Sequence, residues 1–465
     1  MKFQKLLAVF LLTLSAVLIM GLLLVNLSRD ARAERARQNV PDNAEIATIG
    51  VTNTGAILES TEETYEDLLK DYRAQKDEDS ILESFYGEVV TETPSNPHTE
   101  QVPDESEEDL ALKTPPMTAD GRMYAVAEDP FTYRVKPSAP GAVTIAFAGD
   151  ILMDPGYATM ARMRQNGGTI EGVIDAPMLS LMRAADVMMV NNEFPFTDRG
   201  APLQGKQFTF HAKTEWVKYL NDMGVDIAGL ANNHAYDYGE IGLTDTLDTI
   251  RSAGIVTVGA GRNFAEAAHP VYLKATDPVS KQEFTISIVA ATQIERYNNP
   301  HTVGATENKP GVFRCYDVTA LLEQVRMAKA TSDYCIVFIH WGSERMVESD
   351  WAQNAQAPQI VEAGADLIIG AHPHILQKIE YIGNTPVVYS LGNYWFNSST
   401  LNTCLVTATI TKDGLFDLHF IPAIQKDCTV NYAEGEAGQR IINYMNSLST
   451  NATISPDGKI LPRTQ

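Results

Sequence analysis

Cysteine is scarce in this 465-residue chain: there are four, and no two of them stand in a C-x-x-C arrangement. That excludes a disulfide-built scaffold, which needs a dense cysteine framework, and a zinc ribbon, which needs paired thiolates. Any metal must therefore be held by imidazole, carboxylate and amide groups. Basic residues are also few, with 36 Lys+Arg against 59 Asp+Glu and a formal charge of −23. A general nucleic-acid binder needs a basic face to release phosphate counterions, so no nucleic-acid partner is expected. Also missing is a glycine-rich phosphate loop of the Walker or dinucleotide type after the first apolar strand, which removes nucleotide-binding folds. What the chain does have is 44% hydrophobic residues, ample for a sizeable core.

Leu6 to Leu27 reads as one apolar run, about the length needed to span a bilayer, and predicts a transmembrane helix. The alternative, a cleaved signal peptide, usually has an apolar region of only about 7–15 residues. Charge does not orient the span, because Lys2 and Lys5 precede it while Arg29, Arg32, Arg35 and Arg37 follow. Between Pro41 and Pro130 there are 23 acidic and 5 basic residues and little apolar periodicity, the composition of a solvated, self-repelling spacer. The expected organisation is an anchor over 1–28, an acidic linker over 29–140, a globular domain over 141–425 and a C-terminal extension over 426–465.

From about Gly141 apolar runs alternate with amphipathic stretches, the pattern of an α/β domain. Strands are predicted at, among others, Val143–Ala148, Val187–Val190, Asp226–Leu230, Tyr334–His340, Leu367–Ile369 and Ile375–Tyr381. Helical spacing marks Leu243–Ser252, Val318–Ala330 and Asn354–Glu362, and Lys412-Asp413-Gly414 predicts a hairpin turn. Five polar clusters follow predicted strands, where open α/β sheets place their sites. Gly149-Asp150 alone reads as a turn or cap, and Asn191-Asn192-Glu193 as a surface loop. Turn chemistry accounts for Asn232 and Asn233 but not for His234. A lone strand-end His340 is more often structural than a ligand. His372-Pro373-His374 places two imidazoles at i and i+2, which in an extended segment would point the same way. Four of the nine histidines fall in these clusters, so their joint occurrence points to a shared metal site.

The ordered set GD, NxE, ANNHxxDYG, HWGxE, GAHPH and SLGNY, the last being Ser390-Leu391-Gly392-Asn393-Tyr394, resembles the CapA family of poly-γ-glutamate capsule synthesis proteins over about Val143 to Ile421. That family is similar to the calcineurin-like metallophosphoesterases, so the resemblance implies a four-layer α-β-β-α sandwich. It implies one or two divalent ions (manganese, zinc or iron), with Asp150 and His374 on the first, Glu193 bridging, and Asn233, His340 and His372 on the second. His234 would face the leaving group; Asp237, by its place in the Tyr-Asp-Tyr-Gly turn, reads as a turn residue or as one that orients His234 rather than as a ligand. The resemblance also implies a domain outside the cell on a single-pass anchor, with an anionic polymer and other capsule-synthesis membrane proteins as partners. Lys206, Lys213, Arg296, Lys309 and Arg314 are candidate polymer contacts. The phosphoesterase pattern begins Asp-x-His, whereas Ile151 and Leu152 follow Asp150 here, so the first position lacks an imidazole. Three functions follow: capsule polymer synthesis or export, metal-dependent hydrolysis of a phosphoester or amide unrelated to capsule, and a non-catalytic assembly module.

Overall fold

The structure is a computed structural model, and it describes residues 117–126, 129–277, 279–294 and 302–463. The segment Leu6–Leu27 and most of the acidic linker lie outside the described residues. Among the described residues no helix is long and apolar enough to cross a membrane. This corrects the expectation of a single-pass membrane protein with its C-terminal domain outside the cell.

Two large sheets dominate the described residues. The first orders its strands Met123–Val126, Asp129–Val135, Val271–Thr276, Glu283–Thr292, Tyr334–His340, Leu367–Ala371, Thr385–Val388 and Ile379–Ile382. The second runs Thr429–Tyr432, Gly414–Lys426, Leu401–Thr411, Ala142–Ile151, Val187–Asn192, Ile227–Gly229 and Val256–Val258, with the short strand Asn393–Trp395 paired parallel to Ala142–Ile151. Side-chain alternation along the central strands explains why the sheets face each other. Val143, Ile145 and Phe147 enter one apolar cluster together with Ile336, Phe338 and Ile369 of the other sheet. Phe147 and Phe338 stack across that interface with ring centroids 6.4 Å apart. Burying each ring contributes about 1.5–3 kcal/mol. The opposite faces are equally apolar: Ala146 and Ala148 join a cluster with residues of helices Ala176–Ala184 and Gly239–Ser252, while Cys335, Val337 and Ile339 lie with those of helices Thr319–Thr331 and Trp351–Glu362. A chain buried on both faces of both sheets is a layered α/β sandwich.

Most of the predicted elements form, with shifted ends. Tyr334–His340 is a strand over the expected span, and Lys412 and Asp413 make the two-residue hairpin loop between Thr411 and Gly414. The strand predicted from Ile375 instead starts at Ile379. Two further strands form ahead of Gly141, and Met123 and Tyr133 on them are fully buried in the inter-sheet core. Residues after 426 also pack inward, with Ile441, Ile442 and Met445 of helix Gly435–Leu448 in the same core. All four cysteines are buried free thiols.

Candidate metal centre

The clusters converge because each ends a strand at the same edge of the sandwich. Asp150 is the penultimate residue of Ala142–Ile151, Glu193 follows Val187–Asn192, His340 ends Tyr334–His340, and His372 follows Leu367–Ala371. Gly149 is dictated by a close approach: a Cβ there would lie 1.9 Å from the Gly392 carbonyl oxygen, which itself accepts a hydrogen bond from Asp150 N at 3.1 Å. That approach sets Asn393 opposite Asp150 in the parallel register, and Asn393 Oδ1 bonds His374 Nδ1 at 2.8 Å.

The His-Pro-His segment is not extended. His372 and His374 have φ of 98° and 61°, left-handed values that non-glycine residues seldom adopt, and their rings lie near each other but tilted, with centroids 5.6 Å apart and 51° between planes. Each joins a different donor group. Glu193, His340 and His372 form one set, and Asp150, Glu193 and His374 a second, with the donor atoms of each set within 4.8 Å of one another. Asn233 adds an amide oxygen 2.8 Å from His340 Nε2, and His372 Nδ1 is 3.0 Å from the same nitrogen. The six residues expected as ligands are thus gathered, with Glu193 common to both sets.

The donor chemistry fits divalent cations. Asp150 Oδ2 and Glu193 Oε1 are buried without a hydrogen-bond partner, although His374 Nδ1 stands 3.2 Å from the first and His340 Nε2 3.5 Å from the second. Close contacts lacking hydrogen-bond alignment are what groups show when they aim at a common point rather than at one another. In the metal-free protein these groups perturb each other strongly. Burial, reinforced by the Asp150 charge, pushes the Glu193 carboxyl well above its usual range. Asp150, against its own burial, is held low by the adjacent His374 imidazole. Burial opposes the charge on His374 too, yet Glu193 and Asp150 lift it to about 9. His340 is pushed by burial down to about 3. A cation at the second set must therefore displace protons held by His374 and Glu193, so metal affinity should rise with pH up to about 9. Calorimetric titration in buffers of different ionisation heat should show net proton release on binding, and a buffer-independent heat would contradict this.

His234 lies beside the ligand groups and is oriented as expected: its Nδ1 donates to Asp237 Oδ2 at 2.7 Å, because a carboxylate can only accept. Asp237 in turn accepts from Phe210 N at 2.7 Å and from Lys206 Nζ. Burial pushes His234 down to about 4, against the pull of Asp237, so the imidazole is neutral at physiological pH rather than poised near its ordinary value. Lys206 is thus engaged with Asp237, and Arg314 donates to the Thr302 carbonyl oxygen, while Arg296 lies outside the described residues. Two functional residues carried no assigned role in the sequence reading. Asn191 Nδ2 donates to Asp150 Oδ1 at 2.7 Å and stands 3.2 Å from His340 Nδ1, and Asn393 holds His374. Both stand within motifs the sequence displays, but only the strand register reveals what they touch. Leu152 is fully buried and brings no donor.

Comparison with known proteins bears on the same residues. The sequence description of the family "Bacterial capsule synthesis protein PGA_cap" matches residues 144–398, more than half of the chain. Among curated proteins the chain is 30% identical over 287 residues to "PGA biosynthesis protein CapA" of Bacillus subtilis (strain 168), covering 61% of this chain and 72% of that one. It is 33% identical over 225 residues to "Capsule biosynthesis protein CapA" of Bacillus anthracis, covering 47% and 52%. It is 29% identical over 216 residues to a "Probable polyglutamine synthesis accessory protein" of Mycobacterium tuberculosis, covering 45% and 55%. The chain spans about half the length of the latter two relatives. The matched span carries every motif from Gly149-Asp150 to Ser390–Tyr394, and on that ground the chain belongs to the bacterial capsule synthesis protein family, a branch of the calcineurin-like superfamily.

Proposed function

We propose that this chain acts in poly-γ-glutamate capsule synthesis as a metal-dependent enzyme that cleaves or transfers γ-amide bonds of the polymer. The observation that carries the reading is the pair of buried donor sets sharing Glu193, each with an unpartnered carboxylate oxygen. The names of the Bacillus relatives supply the substrate class. Asp150, Glu193 and His374 would hold one cation, and Glu193, Asn233, His340 and His372 the other. Such a pair, when bound, lowers the pKa of water and stabilises negative charge on a substrate oxygen. The set of Asp150, Glu193 and His374 has three donors and Leu152 where an imidazole would stand, so we expect one tight and one weak position.

His234 is the catalytic residue of this reading. With Nδ1–H committed to Asp237, its Nε2 presents a lone pair to the site, and as a neutral imidazole it accepts a proton from the attacking water and passes it to the departing nitrogen. Asp237 fixes the tautomer, and Lys206 and the Phe210 amide fix Asp237. Removing His234 as His234→Ala should lower turnover of γ-glutamyl amides by about 10²–10⁴-fold with metal content unchanged. Asp237→Asn should give a smaller loss of the same kind. A His234→Ala protein with full turnover would refute this role. A metal-loaded chain inert toward γ-glutamyl amides would refute the enzymatic reading.

A further inference from the structure

Two clefts open onto the ligand groups. The first, about 430 Å³, includes Lys206, Asn233, Glu344, Asp350 and His372 in its lining. The second, about 540 Å³, is walled by aromatic residues, Tyr157, Phe208, Phe210 and Phe396, with His374 and Asn393 also lining it. Phe208, His234 and Glu344 belong to both, so the clefts meet beside the catalytic imidazole. His372 lines the first cleft and His374 the second.

The second cleft has two polar features that its apolar walls do not explain. Arg345 lines it on a left-handed backbone (φ 61°), held there by its amide donating to the Pro373 carbonyl oxygen, between the two imidazoles, at 2.8 Å. Its guanidinium makes no hydrogen bond or ion pair among the described residues. Asn393, fully buried, spends Oδ1 on His374 and leaves Nδ2 without a partner. Arg345 is exposed, so its unpaired guanidinium is free to meet a ligand, and the unsatisfied buried amide of Asn393 lines the same cleft; together they suit a ligand that is anionic and accepts hydrogen bonds.

We propose that the aromatic cleft is the subsite for one carboxylate-bearing unit of a linear γ-linked polyamide, with Arg345 pairing the carboxylate and Asn393 Nδ2 donating to an oxygen deeper in the cleft. This deepens the reading given under Proposed function and rests on it. Each γ-linked glutamyl unit has two methylenes in its backbone, which the aromatic walls cover, and one α-carboxylate, which a guanidinium binds in a fork that an ammonium cannot reproduce. Glu344, at the junction of the clefts, repels a carboxylate there. The charged group is thereby directed to the Arg345 side, with the uncharged amide beside His234.

The test is equilibrium binding of a fluorescently labelled γ-glutamyl pentamer to the full chain loaded with manganese. The unaltered protein is compared with Arg345→Asn, which suits the left-handed backbone, and with Arg345→Lys. We expect Arg345→Asn to bind roughly tenfold more weakly at unchanged metal content, and Arg345→Lys to recover part of the loss. A pentamer with amidated α-carboxylates should bind the unaltered protein and Arg345→Asn alike. Equal affinity of the two proteins for the carboxylate pentamer overturns the assignment, as does a metal-loaded chain that binds no pentamer, and both leave the metal reading standing. A chain that takes up no metal contradicts the functional reading, and this inference falls with it.

Discussion

A Glu193→Gln variant should lose both cations together, whereas His372→Ala and His374→Ala should each weaken one position first. Glu193 is the residue common to the two donor sets, so the substitution removes the negative charge they share and replaces one of the two carboxylate oxygens with an NH2 that cannot ligate. The loss of affinity should exceed the roughly 10–100-fold typical of residues that merely hold a ligand, such as Asn191. Elemental analysis of the purified variants measures it, and a Glu193→Gln protein that keeps its full metal content would refute the shared role. The same substitution should act in the opposite direction on the metal-free fold. Burial and Asp150 raise the folded-state pKa of Glu193, so its contribution to stability is present below the usual carboxylate range and is lost as pH rises through the raised value. Glutamine carries no charge to bury. Metal-free Glu193→Gln should therefore melt above the metal-free parent at neutral pH, by a margin that grows with pH, while the metal-loaded parent melts above both.

Gly149→Ala should be among the most damaging small substitutions in the domain. Its Cβ would stand 1.9 Å from the Gly392 carbonyl oxygen, a backbone atom that cannot rotate away. The two segments must part, at a cost of about 1–3 kcal/mol or more. Separating them also breaks the bond from Asp150 N to Gly392 O and displaces Asn393 from Asp150 and His374. Lower thermal stability and weaker metal retention should therefore appear together. A variant that loses stability but holds metal normally would mean that this contact is purely structural.

How far the site could be read from sequence depended on whether chemistry or geometry decided the point. Asp150, Glu193, His234, His340 and the two imidazoles of 372–374 stand just after or at the ends of apolar runs, so residue type and position were enough to nominate them. The course of the chain between those residues was not legible in the same way. His-Pro-His reads as extended by local rules, yet His372 and His374 are both left-handed because the segment must turn between Leu367–Ala371 and Ile379–Ile382. Arg345 gave no local signal, since nothing in HWGxE followed by Arg says that its backbone is pinned to Pro373. Asn393 likewise acts through strand register, a long-range property. At the domain edges, Met123 and Tyr133 are core residues set in or beside acidic sequence, and composition averaged over a long window hides two short strands. His234 falls below the ordinary imidazole range for a physical reason: neighbours such as Phe210, whose ring centroid lies 4.2 Å from its own, exclude the water that would stabilise its charge.

Metal content per chain decides whether the gathered donors form a metal centre. Elemental mass spectrometry should be run on the full chain, because a fragment beginning at Gly141 would discard the two strands that carry Met123 and Tyr133. The unaltered protein, supplied with manganese, zinc and iron, should retain two ions per chain, one of them more readily lost, and the His372→Ala, His374→Ala double variant should retain neither. A well-folded unaltered chain that keeps no metal under any of these supplies would contradict the account.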